Sequence, residues 1–155
     1  MKDEEISWLN IDNYTTRAYF SKKNKSKGGV IILSEGGFEL KQVTVPSQLK
    51  NRLLEEMQFE FCACSYITTN VKLIVIAVYR SPNSDVNIFL ERLSLLIDFF
   101  SKRYSKIVVA GDINIDILAN DNKFKLFKEF LKSHDMRYLV KFPTRITEHS
   151  STAID

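Results

Sequence analysis

Residues 108–116 read Val-Val-Ala-Gly-Asp-Ile-Asn-Ile-Asp, so an apolar stretch runs directly into acids and an amide. Alternate residues of a strand point to opposite faces, and we therefore expect Asp112 and Asn114 to leave on one side while Ile113 and Ile115 enter the core. A carboxylate beside an amide can orient a water, hold a phosphate oxygen and help to bind a divalent cation such as Mg²⁺. The same spacing is equally compatible with a turn or a cap, in which both side chains bond the local backbone.

A second apolar stretch, residues 71–79, ends at Tyr79 and is followed by Arg80 and Ser81. A helix predicted between the two stretches permits them to lie parallel and adjacent, which would put Tyr79 and Asp112 at the same end of one sheet. Sites in open α/β sheets gather at the carboxyl ends of strands. The two stretches together therefore predict a polar site at this end of the sheet.

The elements that must position these residues follow from hydrophobic periodicity and turn signals. An α/β layered fold is expected, in which Gly111 lets the backbone turn or be approached closely. Helices are predicted after a cap at Ser84 or Asp85, ending near residues 104–106, and again over residues 123–134, with a short helix possible at residues 3–9. Strands are predicted at residues 58–68, 71–79, 106–116 and 138–141, and residues 29–45 are predicted to form a hairpin turning at Glu35-Gly36-Gly37.

The chain has 155 residues, of which 45% are hydrophobic, and this fits one domain over residues 1–155. Its net charge of +3 permits contact with nucleic acid but does not by itself argue for it. No apolar run approaches the length of a membrane span, and the acidic start MKDEEISW does not fit a secretion or transit signal. We therefore expect a cytoplasmic or nuclear protein that is not secreted and has no membrane partner.

Two cysteines, Cys62 and Cys64, lie two residues apart on a predicted strand. Such neighbours point to the same face and cannot easily form a disulfide with each other, which favours reduced thiols in an intracellular protein. A metal site would need further ligands, and His134 and His149 lie far off in sequence. Both histidines are predicted to be ordinary surface residues.

Two weaker candidates for phosphate binding remain open. Thr144 and Arg145 could bind a phosphate, although a Pro-Thr-Arg loop is more often simply solvated. The lysine-rich run at residues 22–27 could hold a nucleic-acid backbone or be a solvated basic loop.

Four segments occur in a specific order, namely KGGVIIL, IVIAVYRSPN, IVVAGDINID and FPTRIT with SSTAID. Together they resemble the apurinic-type endonuclease domain of non-LTR retrotransposons, in the endonuclease/exonuclease/phosphatase superfamily, over nearly the whole chain. The resemblance implies a four-layer αββα sandwich, here partial, so that residues 1–155 would form a single incomplete domain. It also implies a Mg²⁺-dependent phosphodiesterase that nicks DNA and is fused to a reverse transcriptase in the intact family. We expect the chain itself to be a monomer.

The resemblance assigns roles by motif position. Asp112 would orient or deprotonate the attacking water and is the metal candidate, while Asn114 would hold the phosphate or the transition state. Tyr79 would donate a hydrogen bond to a phosphate oxygen, and Asp155 matches the acid that steadies a catalytic histidine. Thr144 resembles a threonine that lines the DNA groove.

Direct contacts with nucleic acid are expected from the four polar residues that flank these positions, Arg80, Ser81, Thr144 and Arg145.

The sequence departs from the family pattern on both sides of the matched segments. A metal-site Asn and Glu precede the matched region in the family, and a Ser-Asp-His strand follows it; neither occurs in these 155 residues. We therefore expect weak or absent Mg²⁺ binding, little or no catalysis, and exposed sheet edges. The alternatives are a catalytically dead module that binds nucleic acid or protein, and another enzyme of the superfamily such as a phosphoinositide phosphatase or a repair nuclease.

Overall fold

A computed structural model describes residues 6, 9–21, 29–148 and 151–154 of the chain. The fold is mixed α/β, as the sequence predicts, with one mixed four-stranded sheet at its centre. The strands are β1 (Tyr14–Phe20), β2 (Val30–Glu35), β3 (Lys41–Gln42), β4 (Glu60–Ile67), β5 (Lys72–Tyr79), β6 (Lys106–Asp112), β7 (Arg145–Ile146) and β8 (Ser151–Thr152). The described helices are α1 (Ser47–Leu53), α2 (Val86–Ser101) and α3 (Asn122–Ser133).

The central sheet has the strand order β3-β4-β5-β6. Strands β4 and β5 form an antiparallel hairpin, and β5 then crosses over through α2 to the parallel strand β6. This parallel pairing was predicted from the intervening helix and is confirmed, with Tyr79 directly opposite Asp112. The crossover therefore brings two polar strand ends to one edge of the sheet.

Two predictions about secondary structure are wrong, and two elements were not predicted. Residues 29–45 do not form a hairpin, because β2 pairs with β1 while β3 pairs with β4. Strand β1, which is half exposed and carries Thr and Arg between its apolar positions, was not predicted at all. Residues 138–141 have no regular secondary structure and pair with no described strand, and the short helix α1 was also missed.

The central sheet is covered on both faces at β4, whereas β6 leaves Val108 exposed. Helices α2 and α3 pack on one face through the predicted apolar stripes, and the buried members of the α2 stripe are Phe89, Leu93, Leu96, Ile97 and Phe100. The β1–β2 pair covers the other face, where Ala18, Val30 and Ile32 contact Cys62 and Cys64. Strand β4 is thus buried on both faces, and β5 is buried on the helix face and partly buried on the other, which explains their nearly continuous apolar sequences.

Both cysteines are buried and unpaired on the face that β1 and β2 cover, as their spacing predicts. Burial raises the pKa of the Cys62 thiol to about 12, and the neighbouring Cys64 adds to the effect. Burial likewise raises the pKa of Cys64. These thiols therefore pack as small apolar side chains and are protonated at neutral pH.

The two long helices begin at aspartates that satisfy the first backbone N–H groups. The Asp85 carboxylate accepts hydrogen bonds from the N–H groups of Asn87 and Ile88 at 2.7 and 3.3 Å, which confirms one of the two predicted caps. Asp121 caps α3 by accepting from Phe124 N–H at 2.8 Å. None of the helices in the described ranges is long and apolar enough to cross a lipid bilayer.

Candidate functional site

Three polar side chains stand in one row across the end of the central sheet. Glu60 on β4 lies opposite Tyr79 on β5, and Tyr79 lies opposite Asp112 on β6. The row occupies the carboxyl ends of the two parallel strands, where α/β folds place ligands. The predicted neighbourhood of Tyr79 and Asp112 is therefore confirmed as geometry, and Glu60 is an addition that the sequence did not reveal.

Gly111 is required where β6 approaches β5 at this end. Its φ of +129° lies outside the range that L side chains favour, and a β-carbon placed there would collide with the Val78 carbonyl oxygen. The glycine therefore permits both the backbone turn and the close approach that were expected of it. It sets the position of Asp112, the next residue.

Asp112 and Asn114 form a tight turn directly after β6. The Asp112 Oδ1 atom accepts a hydrogen bond from Asn114 N–H at 3.1 Å, and Asn114 has a left-handed φ of +51°. Ile113 and Ile115 are buried on either side of the asparagine, as strand alternation predicts. The turn that the spacing allowed is thus present, and it is located at the predicted site.

Arg80 holds this turn against the end of β5. Its Nε and Nη2 atoms donate to the carbonyl oxygens of Ile113 and Asn114, and its Nη1 atom donates to the Ser84 carbonyl, each at 2.7 Å. The Asn114 side chain returns a bond from Nδ2 to the Arg80 carbonyl oxygen at 2.7 Å. We call this reciprocal set of bonds the Arg80 clamp.

The clamp changes the interpretation of Arg80 and of its neighbour Ser81. Arg80 is 0% exposed, and Ser81 is 8% exposed. Burial of this degree does not fit the predicted direct contacts with nucleic acid, because carbonyl groups of the protein already surround the guanidinium. We reassign Arg80 to positioning the turn, and Ser81 to a contact with Tyr79.

Tyr79 is held in its protonated form. Burial raises the pKa of its hydroxyl, the negative charges of Asp112 and Glu60 raise it further, and a side-chain hydrogen bond with Ser81 acts in the opposite direction. A protonated phenol is a hydrogen-bond donor. Tyr79 is therefore suited to donate to an anionic oxygen at the end of the sheet, next to the Asp112 carboxylate.

Glu60 is fully buried, and its carboxylate joins two loops to the row. Its Oε2 atom accepts from Gly29 N–H and its Oε1 atom accepts from Met57 N–H, both at 2.7 Å. The Met57 carbonyl in turn accepts from Ser81 N–H at 2.9 Å. The isolated acid in an apolar strand was the available signal for this residue, but alternation alone gave no indication that its partners would be backbone amides.

The described residues 144–148 and 151–154 contact the turn through Ile154. The Ile154 carbonyl oxygen accepts from the N–H groups of Ile113 and Asn114 at 3.1 and 3.2 Å, and Ile154 N–H donates to Thr144 Oγ1 at 3.2 Å. Thr144 is exposed and bonds Ile154 rather than a residue of the row, while the exposed Arg145 pairs with Thr152. The predicted site residue Asp155, the basic run at residues 22–27 and His149 all fall outside the described residues.

The prediction that His134 is an ordinary surface residue is wrong. Its ring packs against Phe130 with centroids 4.8 Å apart, and its Nε2 atom lies 2.8 Å from Ser94 Oγ. Its side chain is 13% exposed. His134 therefore joins α2 to α3, on the helix face of the sheet.

Among the described residues, no group of three or more His, Cys, Asp or Glu side chains is arranged to hold a metal ion. In the row itself, Glu60 uses both carboxylate oxygens on backbone amides, and Asp112 uses one on Asn114. Magnesium favours octahedral oxygen coordination through one or two carboxylates together with substrate phosphates and water. The described donor set therefore supplies part of such a site at most.

The chain matches no family model, no curated protein and no solved structure. The resemblance of its motifs to retrotransposon endonucleases therefore stays a prediction from sequence.

Proposed function

We propose that this chain is a module of a Mg²⁺-dependent DNA endonuclease that recognises phosphodiesters with Tyr79 and Asp112 and has little or no hydrolytic activity alone. The proposal rests on one observation: a protonated phenol and a carboxylate lie side by side at the carboxyl ends of two parallel strands. We further propose that the β1–β2 pair, the central sheet and the helix layer are part of a four-layer αββα sandwich. Fusion to a reverse transcriptase in a longer protein would fit the same proposal.

The proposed roles follow from what each group can donate or accept. Tyr79 donates a hydrogen bond to a non-bridging phosphate oxygen, and Asp112 accepts a proton from the attacking water or orients that water. The amide of Asn114 holds the phosphate with the Nδ2 hydrogen that the clamp does not use. A well-placed donor of this kind typically contributes about 3–4 kcal/mol to stabilising a transition state.

A second candidate function is a nucleic-acid-binding module without catalysis. The observation that favours it is the clamp, because Asp112 and Asn114 both bond the local backbone and thereby form a stable structural turn. Exposed Thr144 and Arg145 would then supply phosphate contacts beside the turn. Such contacts give affinity that falls steeply with salt concentration.

The dependence of DNA binding and plasmid nicking on Asp112 separates the two functions. For the endonuclease module we expect DNA binding that Asp112→Ala alters and that Asp12→Ala, at a matched exposed aspartate outside the row, leaves unchanged, with Mg²⁺-dependent nicking slow or below detection. For the binding module we expect salt-dependent binding of a labelled DNA duplex, measured by fluorescence anisotropy, with no nicking and no effect of Asp112→Ala. Absence of both binding and nicking would reject both proposals.

A further inference from the structure

A shallow depression of about 650 Å³ lies beside helix α3, and its border is strongly basic. Five exposed basic residues line it, namely Lys125, Lys128, Lys132, Arg137 and Lys141. Glu129 is the acid among its lining residues. We call the five basic residues the α3 basic surface. It shares no residue with the row of polar side chains at the end of the sheet.

Three of the lysines lie along one side of α3. Lys125, Lys128 and Lys132 are spaced by three and four residues, so they form one stripe of the helix that is about 10 Å long. Each of them directly follows one of the three buried apolar residues through which α3 packs into the core. The core contacts of α3 therefore set the position of this lysine stripe, whatever covers the outer edge of β6.

The protein does not neutralise the charge of the α3 basic surface. None of its five side chains makes a hydrogen bond or an ion pair with a residue in the described ranges. Five positive charges stand beside one negative charge here, whereas the whole chain has a net charge of +3. An exposed surface with this excess of one sign attracts a partner of the opposite sign.

The spacing of the lysine stripe matches a phosphate backbone. Each strand of a DNA duplex advances about 3.4 Å along the axis per phosphate, so a stripe of about 10 Å spans about three phosphates. Lysine binds phosphate as a point charge, and contacts with phosphates position a protein without reading the sequence of bases. The stripe therefore fits backbone contacts that do not depend on base sequence.

Two other anionic partners fit this surface less well. A lipid bilayer is bound by surfaces whose apolar side chains enter between the headgroups. Leu131 and Met136 in the depression are buried or half-buried, and Tyr138 is 37% exposed, so little apolar surface is offered here. An acidic peptide is held by backbone hydrogen bonds or by buried apolar anchors in addition to charge, and the backbone of α3 is already bonded within the helix.

We propose that the α3 basic surface binds the phosphate backbone of double-stranded DNA, independently of base sequence and at a place distinct from the row. The lysine stripe contacts successive phosphates of one strand, and Arg137 and Lys141 add positive charge at the border of the depression. The choice of DNA over another duplex rests on the function proposed above, whereas the attraction of a polyphosphate rests on the charges of this surface. Such contacts hold the module on DNA without selecting a site.

The test measures binding of a labelled DNA duplex by fluorescence anisotropy, at salt concentrations of about 50 to 200 mM. The test variant combines Lys125→Gln, Lys128→Gln and Lys132→Gln, which removes three charges and keeps good helix formers. We expect it to bind at least roughly tenfold more weakly, and its plot of log affinity against log salt to be flatter by about 0.9 for each lost contact. Two duplexes of unrelated sequence should bind the unmodified protein equally.

Two further variants separate these contacts from net charge. Lys50→Gln with Arg52→Gln and Lys72→Gln removes the same charge from exposed positions on α1 and β5, and it should leave affinity and salt dependence nearly unchanged. Arg at all three positions of the lysine stripe should bind like the unmodified protein, since Arg also binds phosphate. Circular dichroism verifies that each variant is folded.

Several results would overturn the inference. Equal weakening by the Gln variant of the stripe and by its control would show that net charge alone explains binding. Tighter binding of single-stranded DNA, of duplex RNA or of phosphatidylserine vesicles would assign the surface to another partner, and a strong preference between the two duplexes would show base recognition. No measurable binding of duplex DNA would also reject it.

The Asp112→Ala variant keeps this test separate from the function proposed above. Binding that depends on Asp112 but not on the lysine stripe would reject this surface alone. Binding that depends on the lysine stripe but not on Asp112 would support this surface and reject the row as a contact with DNA.

Discussion

Two regions of this molecule are built in opposite ways, namely the turn at the carboxyl ends of β5 and β6 and the outer edge of β6. At the carboxyl end of β5 and β6, buried Arg80 bonds three backbone carbonyls, Glu60 bonds two backbone amides, and the Ile154 carbonyl bonds two N–H groups of the turn. Along the outer side of β6, backbone groups and apolar side chains face an open groove. The polar groups of the turn are therefore hydrogen-bonded within the chain. The outer edge of β6 instead has backbone groups that no described strand pairs with.

The turn is therefore expected to be rigid, whereas the edge of β6 is open to further contacts. A turn whose polar atoms are bonded to the protein can hold Tyr79 and Asp112 in a fixed relation, which is what recognition of a phosphate oxygen requires. An edge strand with exposed apolar side chains is stabilised when another strand covers it. Mutations at the turn should therefore cost stability, and mutations on the outer side of β6 should cost little.

The largest effect is expected from Arg80→Met, which removes the clamp. The substitution keeps an unbranched side chain but leaves the carbonyls of Ile113, Asn114 and Ser84 buried without their donors. We expect a loss of about 3–5 kcal/mol in the free energy of unfolding, since bonds from a charged donor contribute about 1.5–3 kcal/mol each and do not add fully. Urea unfolding followed by circular dichroism measures it.

Exposed Arg145 supplies the control for Arg80. Arg145→Met should change stability by less than about 0.5 kcal/mol, as for most surface substitutions. Equal effects of the two variants would show that the clamp does not stabilise the turn.

Gly111→Ala should have the next largest effect. The new methyl group would collide with the Val78 carbonyl oxygen at a φ of +129°, and both strands would have to move. We expect about 2–3 kcal/mol of destabilisation, in the range for strained backbone. Gly37→Ala is the matched control, because Gly37 also has a positive φ, +98°, but no atom lies within 4 Å of the added carbon. Its cost should be about 1 kcal/mol, and a larger cost than at Gly111 would contradict the collision.

Alkaline pH should destabilise the fold through the buried thiols between the sheets. The folded-state pKa of Cys62 is about 12, against 9.0 for the ordinary thiol. The unfolded chain therefore loses this proton first, so that stability is complete below pH 9 and falls as the pH rises toward 12. Between these values the thiol contributes a slope of about 1.4 kcal/mol per pH unit.

Cys62→Ala removes that slope and provides the measurement. Urea unfolding from pH 8 to pH 11 should show the variant losing stability less steeply than the unmodified protein. Parallel curves would indicate that the Cys62 environment is open to solvent. The raised pKa values of Cys64 and Tyr79 act in the same direction in both proteins and cancel in the comparison.

Sequence alone predicted the part of the fold that depends on strong local patterns. The apolar stretches of β4, β5 and β6, the stripes of α2 and α3, and the parallel pairing of Tyr79 with Asp112 are all present. Strand β1 was missed because its residues are half exposed, and β2 was paired wrongly because Gly36 and Gly37 suggested a local hairpin. Non-local pairing of this kind depends on which faces remain to be covered, which a local window does not contain.

The candidate site was predicted less completely than the sheet. Strand spacing gave Asp112, Asn114 and Tyr79, but a polar residue just after a strand can point to solvent or turn inward. Arg80 was therefore taken for a contact with nucleic acid, although its bonds to Ile113 and Asn114 bury it. Such bonds depend on where the loop after β6 lies, and sequence periodicity does not specify that position.

The smallest effect is expected at Val108 on the edge strand β6. Val108→Thr replaces a methyl group by a hydroxyl on a side chain that is 41% exposed, where water can satisfy the new group. We expect a change in unfolding free energy below about 0.5 kcal/mol. Val78→Thr makes the same replacement at a residue that is 0% exposed on β5, and burying the hydroxyl there should cost about 1–3 kcal/mol. Equal costs in urea unfolding would mean that β6 is already covered, and the contrast between a satisfied turn and an open edge would no longer hold.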